Sequence, residues 1–200
     1  MNAHLVPTDA QLDALRELAN LGSGDAVKAL SQMLGGRPVE LGPPSAVLPA
    51  ESGPLSRLLG GDGRSLVAIA LEFDGAFRGR FVLALSAGDA AILGALLTGR
   101  PASEPLDAMD VSALSEAANI LASASLSAAS RVLKAPMLPS PPNLRAGTVR
   151  EGVAHVLGER GGPVALSTPF WSKGEQQLRG LIVAIPRGET LPGLLDRLGV

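Results

Sequence analysis

The chain contains no cysteine and no tyrosine, and aromatic residues make up only 2% of its 200 positions. Without cysteine there is no disulfide, no thiolate metal site and no thiol nucleophile, a composition that fits a reducing cytoplasm. With so few rings there is no platform on which bases could stack, and the core must be built from Leu, Val, Ile and Ala. Charge of one sign is lacking too: 17 basic and 19 acidic residues leave a formal net charge of -2, which gives no long-range field to hold nucleic acid or anionic lipid. No apolar run approaches membrane-spanning length, and MNAHLVPTDAQLDALREL at the N-terminus lacks the basic-then-apolar pattern of a secretory signal. The expectation is a soluble cytoplasmic chain with no nucleic-acid partner and no membrane insertion.

What is present is a hydrophobic content of 46%, enough to bury a core as one domain or two intimately packed halves. The arrangement is repetitive. In DALRELANL, residues 13–21, Glu17 and Asn20 stand three apart; in SALSEAANI, residues 112–120, Glu116 and Asn119 do the same. Asp13 and Ser112, Glu17 and Glu116, and Asn20 and Asn119 are each 99 positions apart, and the same shift carries Ser31 to Ser130, Pro43 to Pro142 and Asp74-Gly75 to Lys173-Gly174. A constant offset over this much of the chain indicates a duplicated half, and such repeats usually pack about a pseudo-two-fold axis. Each half reads as a long helix, a strand led by prolines, a short helix, a β-hairpin and a further helix. The repeats span about 9–99 and 107–200 of a single domain covering residues 1–200. The short join TGRPASEP, residues 98–105, implies that they share one sheet.

The first long helix is expected over about Asp9 to Leu34, stopping at Gly35-Gly36, and the second over about Asp107 to Lys134, stopping before Pro136. At about 100° per residue, Asp13, Glu17, Asn20, Gly24 and Ser31 form one narrow stripe. Leu15, Leu18, Ala19, Gly22, Ala26, Ala29, Leu30 and Met33 form the opposite, apolar face. The second helix repeats this with Ser112, Glu116, Asn119, Ser123 and Ser130 against Leu114, Ala117, Ala118, Leu121, Ala128, Ala129 and Val132. Packing accounts for the apolar positions but places no demand on the exposed ones. Asn is a middling to poor helix former, because its amide competes with the backbone. Its recurrence at the same mid-helix position of both copies therefore points to a use for the amide, while Gly24 and Ser123, one turn on, are small enough to let another protein approach.

Asp or Ser, three residues, Glu, two residues, Asn, twenty-two residues, then Pro resembles the signature of the CheC, CheX and FliY family of chemotaxis phosphatases. It is met twice, as Asp13, Glu17, Asn20, Pro43 and as Ser112, Glu116, Asn119, Pro142. Two intact motifs are most similar to the CheC branch; CheX is expected to keep one, and a FliY protein to carry a further switch-complex domain for which 200 residues leave no room. The resemblance implies an α/β fold with two long helices side by side on a shared β-sheet. It also implies a substrate, the aspartyl-phosphate of the response regulator CheY, and a second partner, the receptor deamidase CheD. In this reading Asn20 and Asn119 enter the regulator's acidic pocket and orient the attacking water, Glu17 and Glu116 pair with the regulator's lysine, and Asp13, Pro43, Ser112 and Pro142 support the motif. The chain holds no metal of its own, and Mg2+ belongs to the partner. Such chemistry asks little of the enzyme beyond placing water in line with phosphorus. The alternative is a non-catalytic adaptor for phosphorylated CheY or for CheD. Asp13, Glu17 and Asp25 make the first stripe more negative than the second, although Arg16 and Lys28 partly compensate, and the incoming phosphoryl group is anionic. The second site is therefore expected to be the stronger. Asp25 and Ser127 depart from the Asn expected in close relatives.

Other signals read as structure. Gly60-Gly61-Asp62-Gly63 lacks the Lys-Ser or Lys-Thr of a phosphate loop, His4 and His155 are too far apart for a local metal motif, and the run SASLSAAS suits tight helix packing rather than a nucleophile. Phe170 and Trp171 close a predicted strand as core or edge residues.

Overall fold

The computed structural model describes residues 7–47, 65–149, 151, 163–173 and 177–200. The expected short helices between the proline-rich strand and the hairpin of each half lie largely outside these residues, as do His4, His155 and the Gly60–Gly63 segment. Helix α1 spans Asp9–Met33, with Thr8 as its N-cap. The Gln11 amide N–H donates to Thr8 Oγ1 (3.4 Å) and the Thr8 N–H to Gln11 Oε1 (3.0 Å), a reciprocal pair that satisfies two otherwise unpaired donors. The second long helix, α3, spans Ala108–Leu133 and starts on Asp107, whose carboxylate accepts from the Met109 and Asp110 N–H groups, both at 2.9 Å. It ends where Lys134 turns left-handed, φ 52°, one residue before Ala135-Pro136. Both helices thus begin and end within a residue of the positions expected from their caps.

Strands β1 (Val39–Leu41), β2 (Ser45–Val47), β3 (Ser65–Gly75), β4 (Gly79–Ser86), β5 (Met137–Pro139), β6 (Asn143–Thr148), β7 (Ala165–Ser172) and β8 (Leu178–Pro186) make one antiparallel sheet, with order β1-β7-β8-β4-β3-β5. Strand β2 adds to β7 and β6 to β3. Two shorter helices, α2 (Ala87–Thr98) and α4 (Leu191–Leu198), follow the hairpins. Each half's outer strands pair with the other half's hairpin: β1 and β2 lie on β7, and β5 and β6 on β3.

The centre of symmetry is the β4/β8 ladder. There Leu83 pairs with Ile182, its own counterpart at the 99-residue offset, and Ala84 with Leu181 as Val82 does with Val183. A two-fold axis relating antiparallel partners stands perpendicular to the sheet. Helices laid on the sheet and related by that axis must then run antiparallel. The neighbours agree. Leu18 and Gly22 of α1 line the same small cavity as Ser125 and Ala129 of α3, the α3 N-terminus meets α2 at Gly94 and Asp110, and its C-terminal Leu133 carbonyl accepts from Arg197 of α4 (3.3 Å).

Three details depart from expectation. The prolines interrupt each outer strand rather than lead it: Pro43 and Pro44 separate β1 from β2, and Pro141 and Pro142 separate β5 from β6. A proline has no N–H for the ladder and is tolerated at a sheet edge or a break. The outer ladders are also one residue out of symmetry, since Ser45 pairs with Ser167 but its counterpart Leu144 pairs with Ile69, not Ala68. Pro43 and Pro142 correspond in sequence, therefore, but not in sheet register. The first hairpin is right in its strands but not in its turn, because Asp74-Gly75 still belongs to β3 and the chain reverses through Ala76-Phe77-Arg78. Gly75, at φ 138°, could carry no side chain there, since a Cβ would fall 2.0 Å from the Pro136 carbonyl.

Alternation along the strands supplies two cores. Val67, Ile69, Leu71, Leu83 and Ile182 face the long helices, while Leu66, Ala68, Val82, Val183 and Ile185 bury the other side. Into the first core α1 sends Leu15, Leu18, Ala26 and Leu30, and α3 sends Leu114, Ala118, Leu121 and Ala129. Each buried Leu contributes roughly 1.5 to 3 kcal/mol at most. Val132, expected on this face, is 42% exposed, and the neighbouring Leu133 is the residue of the last turn that is buried.

The helices approach closely at Gly22, where an added Cβ would lie 2.6 Å from Ser125 Oγ; at Gly24, two residues on, it would meet nothing within 4 Å. Urea denaturation should therefore separate the two. Gly22→Leu is expected to lose about 1 to 3 kcal/mol by forcing the helices apart, and Gly24→Ala to be neutral or to gain up to about 1 kcal/mol from helix propensity.

Candidate functional site

The packing just described decides which way the motif points. Glu17 and Asn20 on α1 and Glu116 on α3 are exposed, and Asn119 is half-buried. Asp13 and Ser112 stand exposed one turn before the glutamates. No hydrogen bond or ion pair joins the side chains of Glu17, Asn20, Glu116 or Asn119 to another described residue. Each helix thus presents an acceptor-only carboxylate and an amide with both donor and acceptor capacity, neither occupied by another described residue.

The rest of the stripe divides. Gly24 has open space above it, and Ser123 is half-buried. Ser31 and Ser130, in contrast, serve the fold: the Ser31 hydroxyl donates to the Arg37 carbonyl (2.7 Å) and the Ser130 hydroxyl to the Leu126 carbonyl (2.7 Å). Pro43 is exposed and Pro142 half-buried, each in the break of an outer strand. The structure brings the Glu and Asn of each copy together on one helix and sets the prolines apart on the sheet edges.

Charge around the first pair is more balanced than the sequence indicates. Asp13 is ion-paired to Arg16 (2.6 Å), and Asp25 to Lys28 (3.1 Å). Asp25 also pairs with Arg131, which reaches across from α3. That guanidinium first, and the Lys28 ammonium second, hold the Asp25 carboxyl below the usual carboxylate range. The excess of negative charge at the first site is therefore partly neutralised by the opposite helix. Arg131 gave no sign of this in the sequence, because its partner lies 106 positions away. Leu21, next to Asn20 and 43% exposed, was also passed over. Its counterpart Ile120 at the same offset is half-buried, so both amides are followed by an apolar residue near the surface.

Among the described residues there is no group of three or more His, Cys, Asp or Glu placed to hold a metal ion, and no helix is long and apolar enough to cross a membrane. An open groove of about 400 Å³ lies away from both motifs, lined by Glu72, Asp74, Arg78, Leu138 and Arg187. Its arginines Arg78 and Arg187 are committed to Asp74 and Glu72.

The family model described as CheC-like matches residues 11–48 and 109–144, that is, both long helices with the broken strands that follow. Over these two segments the chain is similar to the CheC-like family, one match in each repeat. No curated protein matches it significantly. Among solved structures, Thermotoga maritima FliY is similar at 19% identity over 98% of each chain, with a TM-score of 0.73. The CheX of the CheX-CheY-BeF3-Mg complex from Borrelia burgdorferi is similar at 18% identity, over 84% of this chain and 97% of that one, with a TM-score of 0.61. The FliM middle domain of H. pylori is similar at 12% identity, over 96% of this chain and 99% of that one, with a TM-score of 0.66. At these identities the likeness establishes the fold. The CheC-like fold is thus shared with these structures.

Side chains that hold no part of the fold can be removed without loss of stability. Asn20→Ala and Asn119→Ala are each expected to leave the urea midpoint unchanged or to raise stability by up to about 0.7 kcal/mol, the propensity difference in a helix interior. A loss above about 1 kcal/mol would mean that the amide is a structural group.

Proposed function

We propose that this CheC-like chain hydrolyses the aspartyl-phosphate of a phosphorylated CheY-type response regulator, through either of two equivalent Glu and Asn pairs. The observation that carries the proposal is that the side chains of Glu17 with Asn20, and of Glu116 with Asn119, occupy matching turns of two long helices and make no bond to another described residue. A solved complex of CheX with CheY, BeF3 and Mg on the same fold supports the choice of partner.

The chemistry follows from the groups available. Water attacks phosphorus, the bond from phosphorus to the aspartyl oxygen breaks, and inorganic phosphate and a free carboxylate result. The amide of Asn20 or Asn119 accepts one hydrogen bond from that water and orients its lone pair without changing ionisation. Glu17 or Glu116 pairs with a cation on the regulator and sets the register. The Mg2+ that neutralises the phosphoryl oxygens is held by the regulator. A deamidase of the CheD type is kept as a second partner by family resemblance.

The FliM middle domains that share the fold favour a second reading, a binding module without turnover. Phosphate release from regulator charged by a small-molecule phosphodonor separates the two. The chain should accelerate release, and the Asn20→Ala, Asn119→Ala double variant should lose about 10² to 10³ of that acceleration. No acceleration by the unmodified chain would leave only the binding role. Of the single variants, Asn119→Ala is expected to lose more. Arg131→Gln, made in the Asn119→Ala chain, should lower the remaining rate by leaving the charge of Asp25, on the same helix as the first site, less neutralised.

A further inference from the structure

We infer that the two Glu and Asn pairs face away from each other across the helix pair, so that one chain holds two regulator molecules at once. This rests on the function proposed above for what the partner is; the geometry is independent of it.

The side of α1 turned towards α3 is marked twice. At Gly22 a Cβ would lie 2.6 Å from Ser125 Oγ, and Asp25 is ion-paired to Arg131. Asn20 precedes Gly22 by two residues, about 200° round the helix, which puts it on the flank away from α3. Asn119 precedes Ser125 by six, and is turned by about 120° from the side that meets α1. The residue two on from it, Leu121, is fully buried. The amides therefore occupy opposite flanks of the pair, not a shared crest.

The antiparallel course adds an axial separation. With Gly22 level with Ser125, Asn20 and Asn119 are offset by eight residues, or about 12 Å. Helix axes about 8 to 10 Å apart and side chains reaching outward about 5 Å on each side bring the distance between the amides to about 20 Å. Two compact domains about 30 Å across seated on one crest would collide at that distance. Seated on opposed flanks, their centres lie well beyond 30 Å and they do not.

The probe is the regulator's receiver domain loaded with Mg2+ and beryllofluoride, which mimics the phosphorylated state without turning over. Titration calorimetry, with the mass of the complex from sedimentation, should give two receivers per chain. Glu17→Lys and Glu116→Lys should each reduce this to one, and the double variant to none, with the helical circular dichroism of the chain unchanged. One receiver per chain at saturation, with phosphate release intact, would overturn the inference and leave the proposed function standing. No complex and no phosphate release would overturn both.

Discussion

The pairing of β4 with β8, centred on Leu83 and Ile182, is the constraint from which the rest follows. These strands are buried on both faces, with Leu83 and Ile182 beneath the long helices and Val82 and Val183 on the other side, so their register is strongly specified: a slip by one residue would exchange the two sets. Once it is fixed, the two-fold axis is fixed, and with it the antiparallel course of α1 and α3. A motif duplicated in sequence becomes a pair of sites related by rotation. Neither helix could turn about its own axis without exposing Leu15, Leu30, Leu114 or Leu121, all fully buried.

Stability and the proposed recognition are thereby assigned to different arcs of the same helices. The arc that meets the sheet and the neighbouring helix is filled with Leu, Ala and one close-packed Gly. The outward arc carries Glu17, Asn20, Glu116 and Asn119, whose side chains have no partner among the described residues. Even the electrostatics respect the division, because the Asp25–Arg131 pair ties the helices together on the side away from Asn20. A surface pair of this kind contributes little to stability, and its larger effect is on the net charge of the helix that carries the first motif.

Local signals in the chain were sufficient for local structure. The stops at Gly35-Gly36 and before Pro136 place the ends of both long helices within a residue, and the spacing of Glu17 with Asn20 and Glu116 with Asn119 marks the outward stripe. Hairpin strands were legible from their apolar runs. Relations between distant segments were not. Nothing near Val39 or Ser45 indicates that their partners are Ser172 and Ser167, and nothing near Arg131 indicates Asp25. The one-residue slip of the outer ladders is invisible because Pro43 and Pro142 keep the sequence offset while the strands beside them do not. Ser31 and Ser130 fell on the right stripe but at the ends of their helices, where a hydroxyl finds a carbonyl before it finds a partner.

The exchange of outer strands between halves has a consequence for how the chain is made. As it leaves the ribosome from its N-terminus, β1 and β2 emerge more than a hundred residues ahead of β7, and β4 waits almost a hundred for β8. Throughout that interval the β3/β4 hairpin has an open edge at β4, of the kind that recruits stray strands. Proline at the broken outer strands protects the finished sheet but not this interior edge. Closure must come late, from the C-terminal hairpin, and pairing at such long sequence separation is slow.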